Sequence, residues 1–229
     1  MENAVDTIEI SLFPLNTVLF PGQVLPLHIF EDRYRLMIRR CLAEDSHFGV
    51  VLIKQGQEVG DAAEPHAVGT VARIVESTHL PDGAMDIVTV GLDRFRIRRL
   101  LHDQPYLRGE VETLPMSEPA DPGKLTALAG AVRDLVARYI KLISEAAGLQ
   151  IQIDQMPEMP QQIGYLAAVA MQIDNREKQE LLGATSLNTI LARELHLLNR
   201  ENALLDWMIA HREWPGSVQR GPSGTLLPN

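Results

Sequence analysis

The hydrophobic period of this chain changes once, and that change restricts its architecture more than any other feature. From Ile8 to Leu114 apolar residues come in short runs, the first of them alternating with polar ones; from Leu125 onward they recur every three or four positions. A period of two marks a half-buried strand, and a period near 3.6 marks a helix. Between the two regimes lies LPMSEPADPG (Leu114–Gly123), with three prolines and no period. At 229 residues the chain can form one large domain or two small ones, each with a core. The expectation is an α+β protein. Residues 1–116 form a small β-barrel, 117–212 an α-helical bundle ending in a long helix, and 213–229 a flexible tail rich in Gly, Pro and Ser.

In the first region Ile8, Ile10 and Leu12 alternate with polar residues. Apolar runs follow at Thr17–Leu19, Val24–Ile29 and Phe48–Ile53. Val71–Val75 and Ile87–Val90 read as strands joined through a turn at Pro81-Asp82-Gly83, and Phe95–Ile97 and Leu107–Leu114 complete the set. One helix interrupts them at about Asp32–Ala43, with Tyr34, Ile38, Cys41 and Leu42 at helical spacing. In the second region Asp121 can cap a helix that has Pro122 at its first position and Gly148 past its end. Shorter helices are expected at about Gln161–Gln172 and Asn175–Leu182. The last begins near Ser186, and its Leu191, Leu195, Leu198, Asn202, Leu205 and Ile209 make a heptad-like seam with one polar position.

Charge narrows the classes of partner. Up to Pro115 there are eleven Lys+Arg against seventeen Asp+Glu, and beyond it ten against thirteen. Neither half is basic, so general affinity for nucleic acid through phosphate neutralisation is not expected. No apolar run approaches the roughly 20 residues a membrane helix needs. The N-terminus MENAVDTIEI has neither a basic flank nor an apolar core of the secretory kind, and the single cysteine, Cys41, allows no internal disulfide. The expected location is the cytoplasm.

The segment LFPLNTVLFPGQVLPLHIFEDRYRLMI (Leu12–Ile38) resembles the opening signature of the Lon protease N-terminal domain. GTVARI (Gly69–Ile74), DIVTVGLDRFRI (Asp86–Ile97), PYLRGEVE (Pro105–Glu112) and KQELL (Lys178–Leu182) follow in the family's order. The likeness spans about Ile8–Met208. It implies a PUA-like β-barrel with one inserted helix, followed by an α-helical bundle, in agreement with the periodicity. It also implies a non-catalytic region that engages unfolded or extended polypeptides, in an adaptor or chaperone-like role, standing here without ATPase or protease. Within the signature, Pro14, Pro21 and Pro26 point to edge or bulge positions. The plainer reading of the whole segment is scaffold; the sharper one gives part of it to a binding surface.

The residues carry no catalytic motif. A phosphate loop of the form GxxxxGK[ST] is absent, and none of the four lysines, Lys54, Lys124, Lys141 and Lys178, stands in one. GPSG at Gly221–Gly224 is similar to the motif around the Lon catalytic serine. Ser223, however, is followed by six residues and no lysine, so no partner to activate it is expected. The seven histidines, His28, His47, His66, His79, His102, His196 and His211, show no metal-ligand spacing. No metal and no cofactor are expected, and Cys41 reads as a small buried hydrophobe.

Three residues are the candidates for polypeptide binding. Met156 and Met159 are flexible and polarizable between prolines, and Tyr106 is placed beside them at the junction of barrel and bundle. The plainer reading has all three packing that interface. The alternative function is RNA binding by a PUA-like module through Arg94, Arg96 and Arg98, which share one face of a strand whose Phe95 and Ile97 face the core; the plainer reading pairs them with Glu110 and Glu112. The last helix is further expected to support a homodimer through Leu205, Met208 and Ile209, unless Trp207 and Trp214 fold back to cap it.

Overall fold

The computed structural model describes residues 7–58, 63–119, 121–148 and 156–211; the expected tail, with Trp214 and Ser223, lies outside them. The chain forms two compact units. One takes Met1–Ala120 and Gln172–Ile190, the other Asp121–Met171 and Leu191–Asn229. This differs from the expected division at residues 116 and 117. A helix counted as bundle, Asn175–Gly183, belongs to the unit of strands, because its partners lie there: the Gln179 amide donates to Val68 O at 3.0 Å and the Asn175 amide to Asn16 O at 2.6 Å.

The first unit holds β1 (Ile8–Leu15), β2 (Val24–Ile29), α1 (Asp32–Glu44), β3 (Phe48–Gln55), β4 (Glu64–His79), β5 (Met85–Leu101), β6 (Arg108–Thr113) and later α4 (Asn175–Gly183). The strand order is β2-β5-β4-β3-β1-β6, and β5 also pairs with β6, so five strands close into a ring with β2 attached outside it. β1 runs parallel to β3; the other pairs are antiparallel. The run Thr17–Leu19 is not a strand: Val18, Leu19 and Phe20 are buried in an irregular crossing toward β2. The turn at Pro81-Asp82-Gly83 forms as expected, with Gly83 at φ 84°.

Burial explains why these segments stay in place. One cluster is drawn wholly from strands: Ile10, Leu12, Val51, Phe95 and Val111. The Phe95 ring needs glycine opposite it, since a Cβ on Gly49 would come within 2.6 Å of that ring and one on Gly69 within 2.5 Å of Val50 O. A second cluster seats α1 on the sheet through Tyr34, Met37, Ile38 and Cys41 against Phe13, Phe48 and Val50. Full burial of each large apolar side chain contributes about 1.5–3 kcal/mol.

The second unit holds α2 (Pro122–Ala147), α3 (Pro160–Ala170) and the part of α5 (Leu187–Ala210) from Leu191. Asp121 caps α2 by accepting from Lys124 N at 3.0 Å, and Gly148 ends it at φ 65°, as the sequence predicts. The seam of α5 departs from expectation. Leu191, Leu197, Leu198, Asn202 and Leu205 are buried, but Leu195 is only half-buried and Glu194 is fully buried. The buried arc of α5 is centred near Glu194, a position that a search for apolar residues passes over.

Candidate functional site

The sequence explains two of the concavities in the first unit. β2 is VLPLHI, paired only with β5. The Thr89 hydroxyl donates to Leu25 O at 2.8 Å, which puts the Leu25 peptide on the β5 side. Peptides alternate sides along a strand, so Pro26 faces the outer edge, where its missing N–H breaks no ladder bond. Beside that edge lies a groove of about 210 Å³ with Phe13, Leu15, Pro26, Leu27, Ile29, Phe30 and Tyr34 in its walls and Glu31 and Glu58 at its rim. In its floor the Phe13 and Tyr34 rings stand 4.1 Å apart, and the Arg33 guanidinium lies 4.5 Å from the Tyr34 ring centre. Burial pushes the Tyr34 hydroxyl up to about 12, Arg33 opposing it, so the ring stays neutral. Phe30 is 52% exposed and stacks on His28, whose Nδ1 meets Asp86 Oδ1 at 2.7 Å. An apolar floor with a large exposed aromatic at its lip can take apolar side chains from an extended chain.

The larger concavity, about 480 Å³, lies between α1, the start of β1 and the segment before β6. Tyr106 is in its wall, buried, and accepts from Arg40 Nη1 at 2.9 Å. Cys41 is buried here too, its thiol pushed up by burial against an opposing hydrogen bond with Ser46. Met156 and Met159 belong to the other unit. Met156 is half-buried, while Met159 is 58% exposed and holds the N-terminal end of α3, its carbonyl accepting from Ile163 N at 3.0 Å. The three candidates are therefore divided between the units, Tyr106 in one and the methionines in the other.

The arginine stripe does not form. Arg94 is 3% exposed and donates to the carbonyls of Leu182 and Ala184 at 2.7 and 2.6 Å and of Leu114 at 3.1 Å. It is a tie between β5, the segment after β6 and the end of α4. Arg96 is half-buried, and a register shift between Ile97 and Arg99 breaks the alternation beyond it, leaving Arg98 exposed and paired with Glu112 at 2.6 Å. Arg99 pairs with Glu110. Strand periodicity predicted one shared face; a bulge and a buried guanidinium replaced it. Arg40 is the functional candidate that sequence reasoning missed. Sequence spacing would pair it with Glu44, and only the fold brings it to Gln104 and Tyr106.

Among the described residues no three His, Cys, Asp or Glu side chains gather as metal ligands, and no helix is long and apolar enough to cross a membrane.

The family model described as "ATP-dependent protease La (LON) substrate-binding domain" matches residues 9–200. Lon protease of Anaeromyxobacter dehalogenans (strain 2CP-C) is 29% identical over 196 residues, covering 85% of this chain and 23% of the relative. Lon protease 2 of Myxococcus xanthus is likewise 29% identical, over 85% of this chain and 24% of its own length. The chain thus spans about a quarter of the curated relatives it matches. The crystal structure of a Lon N-terminal domain protein from Xanthomonas campestris superposes with a TM-score of 0.61 at 28% identity, covering 82% of this chain and 98% of that one. The N terminal domain of Mycobacterium avium complex Lon protease gives 0.61 at 19% identity over 86% and 98%, a likeness of fold.

Proposed function

This chain belongs to the LON substrate-binding domain family, and from that premise we propose that it captures unfolded or extended polypeptides in the apolar groove beside β2, as a non-catalytic adaptor or chaperone-like protein of the cytoplasm. The observation that carries the reading is the groove itself, in which apolar side chains, the exposed Phe30 among them, stand beside His28, Glu31 and Glu58. An extended chain gains there by burying side chains, at about 25 cal/mol for each Å² of apolar surface removed from water.

The test is capture of reduced, carboxymethylated α-lactalbumin, which cannot fold. Phe30→Asp should weaken capture at least tenfold, while Val75→Ser, at an exposed position of β4 outside the groove, leaves it unchanged. Equal capture by the Phe30 variant and the parent removes the groove from this reading. The purified chain should also show no ATPase turnover above background. Turnover that disappears on changing one of its residues would end the non-catalytic part.

Pairing of two copies through the last helix belongs to the same proposal, on a revised face. Leu205 is buried within its own unit, whereas Leu204 and Trp207, a turn apart, are each 50% exposed. A monomer in sedimentation equilibrium at tens of micromolar removes this part.

A further inference from the structure

The larger concavity offers an open strand edge that comes to a stop. β3 enters its lane beside β1 at Phe48, opposite Ser11. Among the described residues, Ile8–Ile10 therefore have β6 on one side and no named strand on the other, where Ser46 and His47, leading into β3, line the same cavity. One bond gives the direction of their peptides. Leu12 N donates to Leu107 O at 2.8 Å, on the β6 side. Alternation then turns Ile10 and Ile8 to β6 and aims the N–H and C=O of Glu9 to the side where no strand is named. A segment lying on that side can go no further than His47 and Phe48, where the chain enters β3.

The chemistry on this side of the sheet is set by Arg40. Its Nη1 donates to Gln104 Oε1 at 2.7 Å and to Tyr106 OH at 2.9 Å, both neutral acceptors. Among the described residues no carboxylate pairs with it, and Glu44, one turn further along α1, does not reach it. The neighbouring Arg108 is already held by Glu9 and Asp103, each at 2.6 Å. A guanidinium pinned through one nitrogen by neutral groups keeps its charge and the rest of its fork for an oxyanion. Ile10 and Val71 supply apolar wall in the same cavity.

The geometry points to a site for the C-terminal end of an extended polypeptide. Its last residues add as a short strand parallel to β1 along Ile8–Ile10, and its terminal carboxylate meets Arg40. Strand direction and charge agree. In the parallel sense the carboxylate lies at the end blocked by Phe48, whereas the antiparallel sense would bring an ammonium toward Arg40. This inference rests on the polypeptide-binding reading and adds a second contact, specific for chain ends, at a different concavity.

The experiment is fluorescence anisotropy of the whole chain with an N-terminally labelled pool of decapeptides, random except for a terminal Val. The pool is made as free acid and as C-terminal amide. The free acid should bind at least tenfold tighter than the amide. Arg40→Gln should remove that preference, Arg40→Lys should keep part of it, and Phe30→Asp should leave the acid-to-amide ratio unchanged. Equal binding of acid and amide overturns the site, as does a preference that survives in Arg40→Gln or an absence of binding by the pool. In each of those cases, α-lactalbumin capture that is sensitive to Phe30→Asp leaves the broader reading standing. If Arg40→Gln does not fold, the acid-to-amide ratio of the parent chain decides.

Discussion

The two units differ in how they hold their most deeply buried charged side chain, although both keep buried polar atoms without a hydrogen bond, among them Glu112 Oε2, Gln179 Oε1 and Asn188 Oδ1 in the unit of strands. In the unit of strands, the Thr70 hydroxyl donates to Leu19 O at 2.6 Å, Thr89 to Leu25 O, and Arg94 to three carbonyls. Thr70 and Arg94 connect segments that share no ladder, and Thr89 braces the β2–β5 ladder opposite Leu25. In the helical unit, Glu194 is wholly buried with neither carboxyl oxygen hydrogen-bonded, and Asn202 satisfies its amide nitrogen on Leu135 O at 3.2 Å but not its oxygen. Satisfied polar groups fix one arrangement; an unsatisfied one lowers stability without specifying anything. The difference teaches that a buried charge ties segments together when its partners are present, as at Arg94, and only lowers stability when they are absent, as at Glu194.

The largest expected effect comes from breaking the tie. Arg94→Ala leaves several buried carbonyls without a donor and should cost about 3–5 kcal/mol. Arg94→Lys should rescue little, because an ammonium cannot span the same acceptors. Chemical denaturation checks the magnitude. Hydrogen exchange should show the loss in β5 and α4; a loss confined to the helical unit would break the comparison.

The opposite sign is expected at Glu194. Replacing an unpaired buried carboxyl by an apolar group of similar size, as in Glu194→Leu, should stabilise the helical unit by about 1–3 kcal/mol. Thermal unfolding followed by exchange in α2 and α5 tests this, and destabilisation would mean that the carboxyl is serving a partner.

The same residue sets a pH dependence. Burial pushes its pKa well above the ordinary 4.5, so the folded chain holds a proton that the unfolded chain releases. Stability is then full below that ordinary value and falls as pH rises from it toward the folded pKa. The parent should lose stability over that range relative to Glu194→Leu. Parallel curves for the two proteins would sink the assignment.

The smallest effect is expected on the surface of the strand unit. Arg99 and Glu110 hold each other's charge, the arginine raised and the carboxyl lowered chiefly by their mutual hydrogen bond, but both stand in solvent. Arg99→Ala should leave the melting temperature unmoved at physiological salt, because exposed pairs contribute little net energy.

The sequence by itself determined the elements and their order. Alternation gave β1, Pro81-Asp82-Gly83 gave the β4–β5 turn, and Asp121, Pro122 and Gly148 gave both ends of α2, because these are decided by residues close in the chain. The Leu12–Ile38 signature likewise carried the family and the residues of the β2 groove. Tertiary structure alone decided the rest. It put α4 with the strands, buried Arg94 and Glu194, and set Arg40 against Gln104 and Tyr106. It also stopped β3 at Phe48, leaving the edge of Ile8–Ile10 open. Local pattern reports which face of a segment is apolar; which buried polar group finds a partner, and which strand edge finds none, depends on residues tens of positions away.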